Sequence, residues 1–188
     1  MAAKDNSAMT VRVPCRIGFP DLFKPRAFDE SKPETAQYGC TVMIPKTDTA
    51  SHNACKDAMA AAYKDEWPKD GPKIAPDKLC LKDGADKDNE INHPYWLVSA
   101  RTKRRPVVVN RRREPVQESD ELVYGGADAN VVLRFWAMSN DFGKRICCSL
   151  EAVQVLGTGD PFGAPPVDPM TAFDDVEGGG ADNSTPFD

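Results

Sequence analysis

The sequence predicts a mainly β fold: an OB-fold-like barrel of five or six strands with one helix inserted between the second and third, then a disordered acidic tail. Three observations predict it. Short runs with period-two alternation recur through residue 156, and one stretch, residues 50–67, carries helical periodicity. Beyond Leu156 the composition shifts to glycine, proline and acid, with six glycines and five prolines in 32 residues, too little apolar content to build a packed element. Residues 1–156 are therefore read as the domain and residues 157–188 as the tail.

Val11, Val13, Cys15 and Ile17 alternate with Arg12, Pro14 and Arg16, the pattern of a strand with one buried face. Proline donates no N–H to a ladder, so Pro14 puts this strand at a sheet edge or a bulge. Residues 19–25 break the alternation and predict a turn, followed by a polar loop through Pro33. Tyr38, Cys40, Val42 and Ile44 alternate again until Pro45. Asp48 predicts an N-cap for a helix from about Ala50 to Trp67. Its Cys55, Met59, Tyr63 and Trp67 form one apolar stripe, and Pro68 stops it. Residues 68–93 are rich in Lys, Asp, Gly and Pro without periodicity, which predicts a long surface excursion. Residues 95–102 read as a strand and residues 106–110 as a second, short one. Gly125-Gly126 predicts a turn. Residues 130–138 are the strongest strand, joined by a hairpin at 139–143 to a last strand over 146–156. There the alternation runs 146, 148, 150 and then 153, 155; this slip of one residue predicts a bulge. A β-barrel interrupted by a single helix is the layout of the OB-fold, whose face and loops bind oligonucleotides.

Charge divides the chain in the same place. Residues 1–156 hold 24 Lys+Arg against 22 Asp+Glu, while residues 157–188 hold seven acids and no base. The formal −5 is thus a mildly basic body joined to a −7 arm, an asymmetry that suggests a polyanion-binding body. No run of 18 apolar residues predicts a membrane span, and the first residues hold no apolar signal segment. Six cysteines form no Cys-x-x-Cys pair and the two histidines have no ligand spacing, so neither a metal nor another cofactor is expected. Cys147-Cys148 should point to opposite faces of a strand. Asp83, Asp86, Asp88 and Glu90 lack the register of a calcium loop. Gly-x-Ser-x-Gly, Walker and His-Glu-x-x-His motifs are absent, and no enzymatic activity is expected.

Residues 101–113 hold seven cationic side chains and no acid. Arg101, Lys103, Arg104 and Arg105 precede a valine run, and Arg111, Arg112 and Arg113 follow it, the layout of two basic loops around a short strand. Parity on the strongest strand puts Val131, Leu133 and Phe135 in the core and Arg134 with Trp136 on the other face. In the strand before the basic stretch, Tyr95 shares the face of Arg101, and Trp96, Val98 and Ala100 face the core. Cations that capture phosphates, beside aromatic planes that stack bases, are what a single-stranded nucleic acid needs. The candidate DNA-binding set is therefore the seven cations with Arg134, Lys144 and Arg145, and with Tyr95 and Trp136 as stacking residues; Tyr124 and Phe142 are further aromatic candidates. A nuclease or recombination enzyme, and a structural or RNA-associated protein, remain as alternative readings of the same residues.

The chain also resembles a known family, the phage single-stranded DNA-binding proteins of OB-fold type that were long listed as a family of unknown function. The resemblance rests on residues 16–23 (RIGFPDLF), 38–46 (YGCTVMIPK), 95–100 (YWLVSA), the Pro106-Val107-Val108 step, Val123-Tyr124-Gly125-Gly126 and Leu150-Glu151-Ala152-Val153-Gln154, in that order, and on the acidic, Phe-bearing end. It implies sequence-tolerant, non-catalytic binding of single-stranded DNA in phage replication, recombination or repair, inside the host bacterial cytoplasm. The last residues, with Asp174, Asp175 and Asp182 ahead of Phe187, are similar to the tails through which bacterial single-stranded DNA-binding proteins dock replication and recombination partners. Asp188 departs from that pattern, because no terminal Phe carboxylate is available. The sequence leaves a homodimer open.

Overall fold

The computed structural model describes residues 6–141 and 143–163. In chain order its main elements are β1 (Thr10–Arg26), β2 (Gln37–Pro45), α1 (Thr49–Glu66), β3 (Leu81–Asp83), β4 (Tyr95–Thr102), β5 (Val107–Val109), β6 (Asp128–Asn140) and β7 (Gly143–Val155). The seven strands form one sheet in the order β3-β4-β2-β1-β6-β7-β5, antiparallel throughout except for the parallel pair β5–β7. Leu79, just before β3, bridges Ile146 of β7, so the sheet curls until its flanks meet. The curl encloses a core in which Val13, Ile17, Val42, Val98, Val131, Leu133, Phe135 and Val153 are wholly shielded.

The alternation in β1 is realised as expected, with Val13, Cys15 and Ile17 inside. Pro14 is accommodated although β1 lies mid-sheet. It pairs with Asn130 of β6, while the ladder to β2 begins only at Arg16, so the strand has one free side where proline needs it. The turn expected at residues 19–25 is instead the second half of β1. Two irregularities, between Gly18 and Asp21 and between Asp21 and Arg26, absorb the broken alternation and return Leu22 to the core at 1% exposure.

The helix forms where its periodicity places it. Asp48 caps it by accepting the Ser51 N–H at 3.0 Å, which holds the carboxyl below the usual aspartate range. Its buried face is Ser51, Cys55, Ala58, Met59 and Ala62. Tyr63 and Trp67 finish the predicted stripe differently: half-buried, they meet edge to face at 5.2 Å, and the Tyr63 hydroxyl donates to the Pro72 carbonyl at 3.0 Å. The predicted excursion over residues 68–93 holds β3 and three short 3-10 turns as well as loop. A three-residue strand is too short to show a period, and the closing bridge at Leu79 precedes it in loop, so neither left a trace in the pattern.

The bulge expected in the last strand is present: Val132 and Leu133 of β6 face Ala152 and Leu150, leaving Glu151 as the extra residue. Cys148 is buried and Cys147 half-buried, as opposite faces require. All six cysteines are free thiols, and burial pushes Cys40, Cys55 and Cys80 up to about 12. Among the described residues no helix is long and apolar enough to cross a membrane, and no group of three His, Cys, Asp or Glu is arranged to hold a metal.

Residues 157–163 lie against the body. Asp128 N–H donates to Thr158 O at 2.7 Å, Phe162 N–H to Gly125 O at 2.8 Å, and the Tyr124 hydroxyl to Gly159 O at 2.8 Å. Gly126, at φ +105°, makes the approach feasible, since a Cβ there would sit 2.2 Å from the Asp160 carbonyl oxygen. The tail expected from residue 157 thus begins as a strap on the body; its continuation, with Asp174, Asp175, Asp182, Phe187 and Asp188, lies outside the described residues.

The capping bond makes a pH-dependent prediction. Asp48→Ala should lower unfolding free energy by about 1 kcal/mol in urea titrations near neutral pH. Because the folded carboxyl titrates lower than an unfolded one, the wild-type advantage is complete above about pH 4 and fades as pH falls through the folded value. A difference that persists unchanged in strong acid would assign the loss to something other than the carboxylate cap.

Candidate nucleic-acid interface

Side chains that the sequence scatters over 70 positions or more line one groove of about 670 Å³. β4 and the residues after it bring Ser99, Arg101, Thr102 and Lys103; β6 brings Trp136 and Met138; β7 brings Arg145, Cys147 and Ser149. Ile146, Cys148, Gln37 and residues 77–80 complete the lining. They meet because closing the barrel sets the end of β4 beside the start of β7, with Leu79 wedged between.

The groove is electropositive. Among the described residues its lining holds Lys78, Arg101, Lys103 and Arg145 and one acid, Asp77, which lies 3.5 Å from Lys78. Arg101 projects from β4 across Gly39 of β2, its Cα partner. A Cβ on Gly39 would come within 3.0 Å of the Arg101 Cγ and 2.4 Å of the Ala100 carbonyl oxygen, so only glycine lets the arginine stem lie that close. Trp136 is on the outer face of β6 at 36% exposure. Its indole N–H donates to Ser149 Oγ at 3.0 Å, which fixes the ring's orientation while leaving ring surface open to the groove. The thiols here are neutral: burial raises Cys80 to about 12, and raises Cys147 against the opposing pull of Arg145. They act as small apolar groups, not nucleophiles.

The remaining sequence-selected residues are distributed elsewhere. Arg134 donates from Nε to Glu151 Oε1 at 2.9 Å, an exposed pair on the outer face. Lys144 is exposed beside the hairpin, next to Arg145; Phe142 lies outside the described residues. Arg104 is exposed, and Arg105 holds its guanidinium 5.6 Å from the Phe23 ring centre. Arg111, Arg112 and Arg113 form the turn after β5, ordered by Asn110, whose Oδ1 accepts the Arg112 N–H at 2.8 Å. Arg111 donates to the Leu156 carbonyl. This turn is next to Gln154, the β7 partner of Val109, roughly 30 Å of strand away from Arg145. The basic stretch is therefore split between the groove and the far end of the body.

Tyr95 lies at the opposite end of β4 from Arg101. Its hydroxyl accepts from Arg16 at 3.4 Å. Arg16 also donates to Gly126 O at 3.0 Å and to Asp160 O, lies 3.8 Å from Asp128, and stacks its guanidinium 4.6 Å from the Phe162 ring centre. Tyr124 thereby holds the strap directly, and Tyr95 touches Arg16, which also holds it. Ser149 shares strand parity with Arg145 and was within reach of sequence reasoning. Gln37 and Lys78 carry no such signal, since both come from stretches without periodicity.

Comparison with known proteins agrees with this architecture. Residues 8–183 match the family model described as Enterobacter phage Enc34, ssDNA-binding protein. Protein p50 of Acyrthosiphon pisum secondary endosymbiont phage 1 is 30% identical over 168 residues, covering 86% of this chain and 90% of p50. The solved single-stranded DNA-binding protein of bacteriophage Enc34 in complex with ssDNA is similar at TM-score 0.74 and 28% identity, over 86% of this chain and 97% of that one. The same phage protein in a second structure gives TM-score 0.71 and 30% identity, over 93% and 97%. Bacteriophage T7 gp2.5, a single-stranded DNA-binding protein, is similar at TM-score 0.56 and 15% identity over 92% and 98%, a likeness of fold alone. The fold is thus the OB-type barrel, and on the matched length and identity the chain belongs to the phage Enc34-type ssDNA-binding protein family.

Proposed function

We propose that this chain binds single-stranded DNA without sequence preference and protects it during phage DNA replication, recombination or repair in the host cytoplasm. The observation that carries the reading is the groove in which Arg101, Lys103 and Arg145 converge on Trp136. The cations neutralise phosphates and release counterions, which supplies affinity that does not depend on base identity. Trp136, tied at one edge to Ser149, offers a plane to an unstacked base, which a paired strand cannot present. Arg111, Arg112 and Arg113 add a second, outlying phosphate contact where the strand extends beyond the groove, and Lys144 and Arg134 flank it. The family is defined by binding, and the reading assigns the chain no catalytic step.

The acidic segment after the strap has two roles in this reading: a docking segment for replication or recombination proteins, and an intramolecular competitor for the same cations. Residues 164–188 hold Asp168, Asp174, Asp175, Glu177, Asp182 and Asp188 and no Lys or Arg. Tethered at Phe162, they are at an effective concentration of about millimolar near the body.

Three measurements test this. Replacing Arg101, Lys103 and Arg145 together with Ala should weaken binding to all unstructured oligonucleotides alike and flatten the log–log salt dependence by about 0.7 for each lost contact. The equivalent triple at Arg111, Arg112 and Arg113 should have the smaller effect, and groove variants with wild-type affinity and slope would refute the site. Trp136→Ala should cost about 1–3 kcal/mol of binding with little change in melting temperature, whereas Trp136→Phe retains most of it. Equal binding by all three proteins would remove stacking from residue 136. Deleting residues 164–188 while keeping the strap should tighten binding at low salt, with a gain that shrinks as salt rises. Superimposable curves for truncated and full-length protein would end the competition model.

A further inference from the structure

Phe19 occupies a position built for glycine. Between the pairs Gly18↔Thr41 and Asp21↔Gly39, β1 advances three residues while β2 advances two, so one residue is extra. Bulges that place a residue in the left-handed region ordinarily put glycine there, because a Cβ is strained at positive φ. Phe19 holds φ +48°, and for a bulky side chain that is an outlier costing about 1–3 kcal/mol. The ring recovers little by packing. It is 73% exposed, while Ile17 and Leu22 on either side of the bulge are at 0% and 1%. A strained backbone that holds an aromatic ring in water is explained when the ring has a partner outside the fold.

The surroundings identify the partner's chemistry. The next row of the sheet runs Asp21, Gly39, Arg101, so the bulge is two strands, about 10 Å, from the arginine that enters the groove. Gly18, Thr41 and Ser99 form the row before it, and Ser99 also lines the groove. Further along β1, Arg105 lies over Phe23, which brings the basic loop to the same end of the strand. Aromatic planes separated by cations along one outer surface suit an extended single strand, whose bases and phosphates alternate. We propose that Phe19 is a base-stacking residue, held out by the strained bulge as a second platform beyond Trp136. The bound strand then runs from the groove over Arg101 to β1. This rests on the single-stranded DNA reading above and adds a contact that the groove does not contain.

The test uses full-length Phe19→Gly, Phe19→Leu and Phe19→Trp proteins with an unstructured labelled oligonucleotide at several salt concentrations, alongside thermal melting. Phe19→Gly should melt a few degrees higher, because the strain is relieved, yet bind about 5- to 100-fold more weakly with an unchanged salt slope. Phe19→Leu should lose most of the same affinity, because bulk without a ring plane does not stack, and Phe19→Trp should retain it. Wild-type affinity in Phe19→Gly overturns the proposal. A loss that Phe19→Trp shares equally also overturns it, since the bulge conformation and not the ring would then matter. Normal DNA binding by Phe19→Gly with a lower mass in sedimentation would assign the residue to a contact between copies instead. Wild-type binding in the same titration reports separately on the underlying reading, and its absence would overturn both.

Discussion

β1 belongs to two ladders, and the rest of the barrel hangs on that. Its first half, Thr10 to Arg16, pairs with β6, and its second half, Arg16 to Arg26, pairs with β2. A strand that changes partners halfway must coil, and the two irregularities beyond Gly18 supply the added twist. β4 follows β2 and β7 follows β6, so the handover at Arg16 determines how far the sheet curls before its flanks approach. Val13, Cys15, Ile17 and Leu22 keep their side chains inward through the change, so core burial and strand curvature are satisfied together.

The groove is a consequence of that closure. Arg101 and Lys103 reach β7 only because β4 has been carried round the barrel, and Trp136 and Ser149 meet because β6 and β7 form a long hairpin. Close approach is permitted by absence of bulk: Gly39 leaves room for the Arg101 stem. Lys78 lies beside Asp77 in the groove, and on the outer face Arg134 is paired with Glu151, an exposed bridge worth at most about 1 kcal/mol. Burial keeps the neighbouring thiols protonated, so the groove presents positive charge and apolar surface, with Asp77 its one acid among the described lining residues.

Arg16 also anchors the strap, so the residue at the handover point of β1 decides where the acidic segment leaves the body. Gly126 and Gly159 make that crossing close enough for backbone hydrogen bonds from Asp128 and Phe162. The start of the acidic segment is therefore tied to the outer face of the sheet, at the Tyr95 end of the strand that carries Ser99 and Arg101.

Much of this was legible in the residues themselves. Alternation located β1, β2, β4, β6 and β7, including the bulge at Glu151, and a 3.6-residue period with Asp48 ahead of it located α1. Those features are local, since side-chain direction repeats every two residues in a strand whatever the strand packs against. Parity likewise put Trp136 opposite the core and Arg101 on an outward face. Other features carried no periodic signal: β3 is three residues long, and the second half of β1 hides its period behind an extra residue. Adjacency in sequence also joined what the fold separates, because Arg101 and Arg111 flank a strand that crosses to the far end of β7. The residues alone thus determined most of the strands, the helix, and a basic body with an acidic arm. Which cations share a groove with Trp136, and which lie beside Leu156, was decided only when the curled sheet closed, because that choice depends on contacts between strands far apart in the chain.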